Sequence, residues 1–153
     1  MLTSIQQQIG LAVFAAVLIA AFAVGRRDER LGAAIVTVSA LATMAHPYWE
    51  PWLDLRLGGL AIDGLTLAAL TWLVAVSQLR WPLFATAFVL LLVLLHLVAL
   101  ASPPALRITY LDASAALSYG VLAALAVGTL AAWRSRRLAW GKDAWWSRAE
   151  SNR

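Results

Sequence analysis

Apolar residues along this chain fall into five long runs, each stopped by charge or by proline. A helix rises about 1.5 Å per residue, so about 20 apolar residues cross the roughly 30 Å hydrocarbon layer of a bilayer. The runs predict helices at 9–25, 31–46, 57–77, 83–101 and 113–133. Arg26-Arg27-Asp28-Glu29-Arg30 ends the first, and Pro47 stops the second. The second is short unless Tyr48 and Trp49 complete it at the interface. The fourth lies between Pro82 and Pro103-Pro104, and Arg134, Arg136 and Arg137 follow the fifth. Short connections make consecutive helices antiparallel neighbours. The expected fold is therefore all-α: one polytopic bundle over 1–153, ending in a basic, Trp-rich tail at 134–153. Residues 1–8 carry no basic side chain, and the first run exceeds the about 7–15 residues of a signal-peptide core. It reads as a retained helix, with a signal peptide as the lesser alternative. No heptad, low-complexity segment or internal repeat is visible.

The basic residues set the orientation. With the N-terminus outside, the inner segments hold Arg26, Arg27, Arg30, Arg80, Arg134, Arg136, Arg137, Lys142, Arg148 and Arg153. The outer segments hold only Arg56 and Arg107 of the 12 Lys and Arg residues. Cytoplasmic loops favour Lys and Arg. Dropping one span would put two basic clusters on opposite sides, so the same split favours five. Aromatic residues form the belts expected at headgroup level. Tyr48, Trp49, Trp52 and Tyr110 fall at the outer interface, and Trp81, Trp133, Trp140, Trp145 and Trp146 at or beyond the inner one.

Composition narrows the class. The 153 residues are 62% hydrophobic and 13% charged, against about 45–50% and about 25% in soluble domains. Once the spans are counted, no separate soluble domain is expected within these 153 residues. There is no cysteine, which excludes disulfides, thiolate metal sites and a thiol nucleophile.

Three polar groups fall at one level of the predicted bundle. Asp63 lies about 9 Å below the outer start of the third span, and His96 about 8 Å below the outer end of the fourth. Tyr119 lies about 10 Å below the outer start of the fifth. Asp112, His46 and Glu50 lie nearer the outer surface. A charge in hydrocarbon is costly, so intramembrane ionisable residues are functional candidates. An Asp–His pair can hold a proton, or orient the imidazole toward a ligand. It can equally be a buried hydrogen bond joining two helices, which is the simpler reading. The spacing alone does not place the two side chains face to face.

A second feature is a four-residue repeat of small side chains. Asp112, Ala116, Gly120, Ala124, Gly128 and Ala132 recur along the fifth span, and Ala12, Ala16 and Ala20 along the first. Small residues let helices approach closely. A four-residue step advances about 40° on a 3.6-residue helix, so the stripe winds and suits a crossing. Packing within the chain is the first expectation, and a homo-oligomer or partner interface the second. The tail suits an anionic membrane surface, and topology anchoring explains it as well as partner docking does. Nucleic-acid binding is not expected, since the basic residues hug the membrane and no nucleic-acid module is present. His46 and Glu50 are four apart, but Pro47 and Pro51 oppose a helix there. An interfacial turn is the better reading than a metal site.

No phosphate-binding, dinucleotide, nucleophile-elbow or zinc-protease motif occurs. The chain is expected to be no enzyme and to need no cofactor. Its expected role is an accessory, assembly or structural subunit, with the bilayer and a membrane complex or further copies as partners. A small oligomeric proton- or cation-coupled transporter or channel using Asp63 and His96 is the alternative. A quinone, haem or metal binder through His96 is the third.

In layout, the chain resembles a group of small polytopic bacterial inner-membrane proteins. The resemblance rests on the uncharged N-terminus, the Arg-rich first inner loop, Asp63, Arg80-Trp81-Pro82, His96, Tyr119 and Gly128-Thr129. It implies a multi-pass fold in the inner membrane and carries no activity with it.

Overall fold

A computed structural model describes the backbone of residues 5–45, 55–101 and 107–151, with side chains within 8–45, 57–101 and 110–138. The described residues form five α-helices: α1 Ile5–Val24, α2 Arg27–Ala45, α3 Leu55–Val76, α4 Trp81–Ala101 and α5 Arg107–Ser151. Among the described residues, three helices are long and apolar enough to cross a membrane, over Leu57–Val76, Trp81–Ala101 and Tyr110–Leu138. The apolar part of α1, Gln8–Val24, is shorter, and α2 opens on charge.

Each departure from the predicted boundaries has a local cause. The run Arg27–Arg30 was expected as a loop but is the first turn of α2. There the Glu29 carboxylate accepts the Arg26 backbone N–H at 2.8 Å, the contact of a capping box. Asp28 and Glu29 in this turn also complement the positive end of the helix dipole. Helix α4 starts at Trp81 with Pro82 second, a position where a missing N–H costs no helical hydrogen bond. Helix α5 starts at Arg107 rather than 113 and continues through the predicted tail. Charge marks the end of an apolar run without ending a helix. Arg137 lies over the Trp133 ring, 4.1 Å from its centroid, a cation–π contact one turn apart. At 45 residues, α5 is about 68 Å long.

The helices close into a ring in chain order, and α2 also touches α5 across it. Contacts between α4 and α5 show them antiparallel: Trp81 meets Gly128, Phe88 meets Gly120, and His96 meets Tyr110. Gly10 of α1 meets Tyr119 of α5, and just past the end of α1 Arg26 meets Ser135 at the same separation of 109 residues, so these two helices run parallel. Arg26 bonds Ser135 and Arg136 bonds the Gly25 carbonyl, both at 3.0 Å and at separations of 109 and 111 residues. Five alternating helices in a ring must have one parallel pair, and it falls where the chain's first and last helices meet.

Leu70, Leu73 and Leu125 are fully buried at the centre, with Ala21, Ala33 and Ala85 around them. No glycine among the described residues has a positive φ. Gly32 and Gly128 serve close approach: a Cβ at either would strike the Trp81 ring, which is wedged between α2 and α5. Trp81, expected in an interfacial belt, is therefore a core residue with 6% exposure. Several hydroxyls are satisfied within their own helices. Thr37, Thr71, Thr86 and Thr129 each donate to the carbonyl four residues back, as apolar surroundings require. Thr66 and Ser39 hydrogen-bond at 2.9 Å and tie α3 to α2.

Candidate functional site

Asp63 and His96 meet. His96 is 5% exposed, on the inward face of α4, and its Nδ1 lies 3.6 Å from Asp63 Oδ2. The ring is placed by three helices. Gly59 stands one turn before Asp63 on the same face of α3, and its missing side chain leaves room for the imidazole edge at Nε2. Within α4, Nδ1 is 2.8 Å from the Leu92 carbonyl. From α5, the Tyr110 hydroxyl lies 2.9 Å from Nε2, and the two rings meet edge to face at 83° with centroids 5.5 Å apart.

These partners fix the tautomer of the neutral ring. A carbonyl can only accept, so Nδ1 carries a hydrogen and donates it to Leu92. In the neutral imidazole, Nε2 then accepts from the Tyr110 O–H. In the imidazolium, Nε2–H donates to the same oxygen, and Asp63 supplies the opposite charge. Asp63 lies beyond hydrogen-bond range of Nδ1, so its contact is electrostatic rather than directional. The arrangement joins three helices through one ring, and it accommodates either protonation state without moving a partner. Both ring nitrogens are engaged, so ligation of a metal or haem would have to displace Tyr110 or Leu92. Among the described residues, no three His, Asp or Glu side chains lie close enough to hold a metal ion.

Tyr119 does not belong to this cluster. It is 49% exposed, and its hydroxyl abuts Gly10 of α1. Tyr110 takes the place expected of it. The two tyrosines are nine residues apart, about 180° around a 3.6-residue helix, so one helix cannot direct both at α4. Asp112 is exposed and about 200° around α5 from Tyr110. His46 and Glu50, and the outer aromatics Tyr48, Trp49 and Trp52, lie outside the described residues.

The small-residue stripes divide. Along α5, Ala116 is exposed, Gly120 half-buried, and Ala124, Gly128 and Ala132 buried, as expected of a stripe that winds into the bundle. On α1, Ala12, Ala16 and Ala20 are all exposed, and the helix packs through Phe14, Val17, Leu18 and Ala21. That set follows the 3.6-residue period, which keeps one face inward. The four-residue stripe drifts off it.

Sequence reasoning missed Tyr110 and Gly59. A fifth helix drawn from 107 would have set Tyr110 opposite His96 in an antiparallel hairpin. Gly58-Gly59, beside Asp63 on the same helix, was the signal for a close approach. No protein-family model, no curated protein and no solved structure matches this chain.

Proposed function

We propose that this is a bacterial inner-membrane protein of five spans, N-terminus outside and C-terminus inside, serving as a non-enzymatic accessory or structural subunit of a membrane complex. The observation that carries this reading is the closed interior. Leu70, Leu73 and Leu125 fill the centre of the ring with no exposure, and the His96 nitrogens bond within the chain. The outward faces are apolar on every helix, with Ile19, Val38, Leu65, Val98 and Val127 each more than 60% exposed. Such faces suit lipid or neighbouring helices. The α2 charges gather in its first turn, on the same side as Arg80 and Arg134, and this supports a second span with its charged end inside.

Gentle solubilisation of native membranes followed by quantitative mass spectrometry tests the reading. The expected result is a larger membrane complex containing this chain at fixed stoichiometry, and a lower yield of that complex when the chain is deleted. A chain that purifies alone, with every neighbouring complex intact after deletion, would overturn it. An outside-active reporter fused after Ser77 should be silent, and one fused after Ser102 active. The reverse pattern would invert the orientation.

The Asp63–His96–Tyr110 contact favours a second reading, an oligomeric proton- or cation-coupled transporter. Proteoliposomes should then show a proton flux that Asp63→Asn abolishes in a folded protein. A flux unchanged by that substitution would remove the reading.

A further inference from the structure

A cleft of about 580 Å³ opens on the α4–α5 seam, at the end opposite His96. That volume is within the ~300–1,000 Å³ of ordinary small-molecule sites. Its walls are apolar: Phe84 and Phe88 on one side, and Gly120, Ala123, Val127 and Ala131 on the other. One end is polar, formed by Arg26, Glu29, Arg80 and Ser135. Arg26 also borders a second cleft, of about 420 Å³, lined by Arg27, Arg30 and Arg136. The single carboxylate at the first cleft, Glu29, already accepts the Arg26 backbone N–H. Two guanidinium groups, Arg26 and Arg80, beside one carboxylate leave the polar end of the first cleft net positive.

The floor of the cleft carries an unpartnered donor. Trp81 lines the same cleft and is 6% exposed. Its indole Nε1–H is buried and has no hydrogen-bond partner among the described residues. Buried donors are normally paired, and an unpaired one calls for an explanation.

We propose that this cleft binds one anionic phospholipid, with its phosphate on Arg26 and Arg80 and an acyl chain along the furrow over 120–131. Guanidinium groups match phosphate oxygens in geometry and charge. An apolar furrow leading away from them selects a lipid over a free phosphate. Bulk lipid coats any apolar face, so the content of the proposal is selectivity for the anionic headgroup. It rests on the membrane location proposed above, which carbonate-washed membranes report separately: recovery in the soluble fraction would refute the location whatever the lipid result.

The test is native mass spectrometry of the full chain in mild detergent, with phosphatidylglycerol or phosphatidylcholine of identical chains. One phosphatidylglycerol should be retained, with a preference of about tenfold or more. Arg80→Gln, at an exposed residue, should weaken retention about fivefold. Ala123→Phe, also at an exposed position, fills the furrow without touching a charge and should abolish retention. Ala131→Phe repeats that test should Ala123→Phe fail to give a monodisperse protein. Equal retention of both lipids would overturn the proposal, as would unchanged retention in the variants. Displacement by glycerol phosphate as effective as by the lipid would also overturn it, because the site would then read a headgroup alone.

Discussion

The seam between α4 and α5 carries a buried ring near each end, and the two are held by opposite means. His96 is a polar ring with both nitrogens partnered, one within its own helix and one across to Tyr110. Trp81 is a mostly apolar ring whose only polar atom has no partner among the described residues, fixed in place by the absent side chains of Gly32 and Gly128. The first is a tie that carries direction and little bulk. The second is a wedge that carries bulk and little direction. In dry surroundings a hydrogen bond between helices contributes modestly, because the unfolded segments also find partners. Close packing of a large ring has no such substitute. The wedge should therefore matter more for stability, and the tie more for which helix faces which.

Substitutions at the two ends separate these roles, and chemical unfolding in mixed micelles gives the measure. Trp81→Ala should have the largest effect, about 3–5 kcal/mol, as for other buried aromatic truncations. A loss below about 1 kcal/mol would show that the ring is not a core element. Gly128→Leu should cost about 1–3 kcal/mol by overpacking against the indole. Combined with Trp81→Ala it should cost less than the sum, since the two side chains compete for one space; strict additivity would deny that contact.

At the polar end, His96→Leu should cost about 1–2 kcal/mol, because it removes the hydrogen bond to Tyr110 and the imidazole beside Asp63. The double change Asp63→Leu with His96→Leu should be milder than His96→Leu alone, because no charge is left unpaired. The smallest effect distinguishes the tyrosines. Tyr110→Phe should lose about 1 kcal/mol, whereas Tyr119→Phe should leave the midpoint unchanged. Equal effects would mean that Tyr110 is no part of the tie.

The sequence made some of this legible. Asp63 and His96 stood out because polar groups inside apolar runs are rare, and simple rise arithmetic put them at one level. The apolar runs located all five helices. What it hid was azimuth. Depth along an axis follows from counting, but the face a residue presents depends on where the helix begins and on its neighbours. Starting the fifth helix at 113 put Tyr110 outside it and promoted Tyr119, which points away. The exposed stripe Ala12, Ala16 and Ala20 misled for the same reason: small size permits contact without directing it. The tryptophans misled differently. Trp81 lies beside Arg80 and Pro82, where an interfacial anchor is the ordinary expectation. Its burial follows only from two glycines 96 positions apart in the chain, at 32 and 128, and no local pattern joins them.

The parallel pairing of α1 with α5 has a consequence for how the molecule is made. Translation delivers the helices in order, at about 5–20 residues per second. The Arg26–Ser135 contact spans 109 residues, so the first helix waits on the order of ten seconds for its neighbour to be synthesised. The indole of Trp81 waits too, with Gly32 behind it and the opposite wall not yet built. Each nascent chain thus passes through an open, four-helix stage with an unfilled groove along its length. The last helix serves as the closing stave, and any factor that shields the groove during synthesis must leave before it arrives.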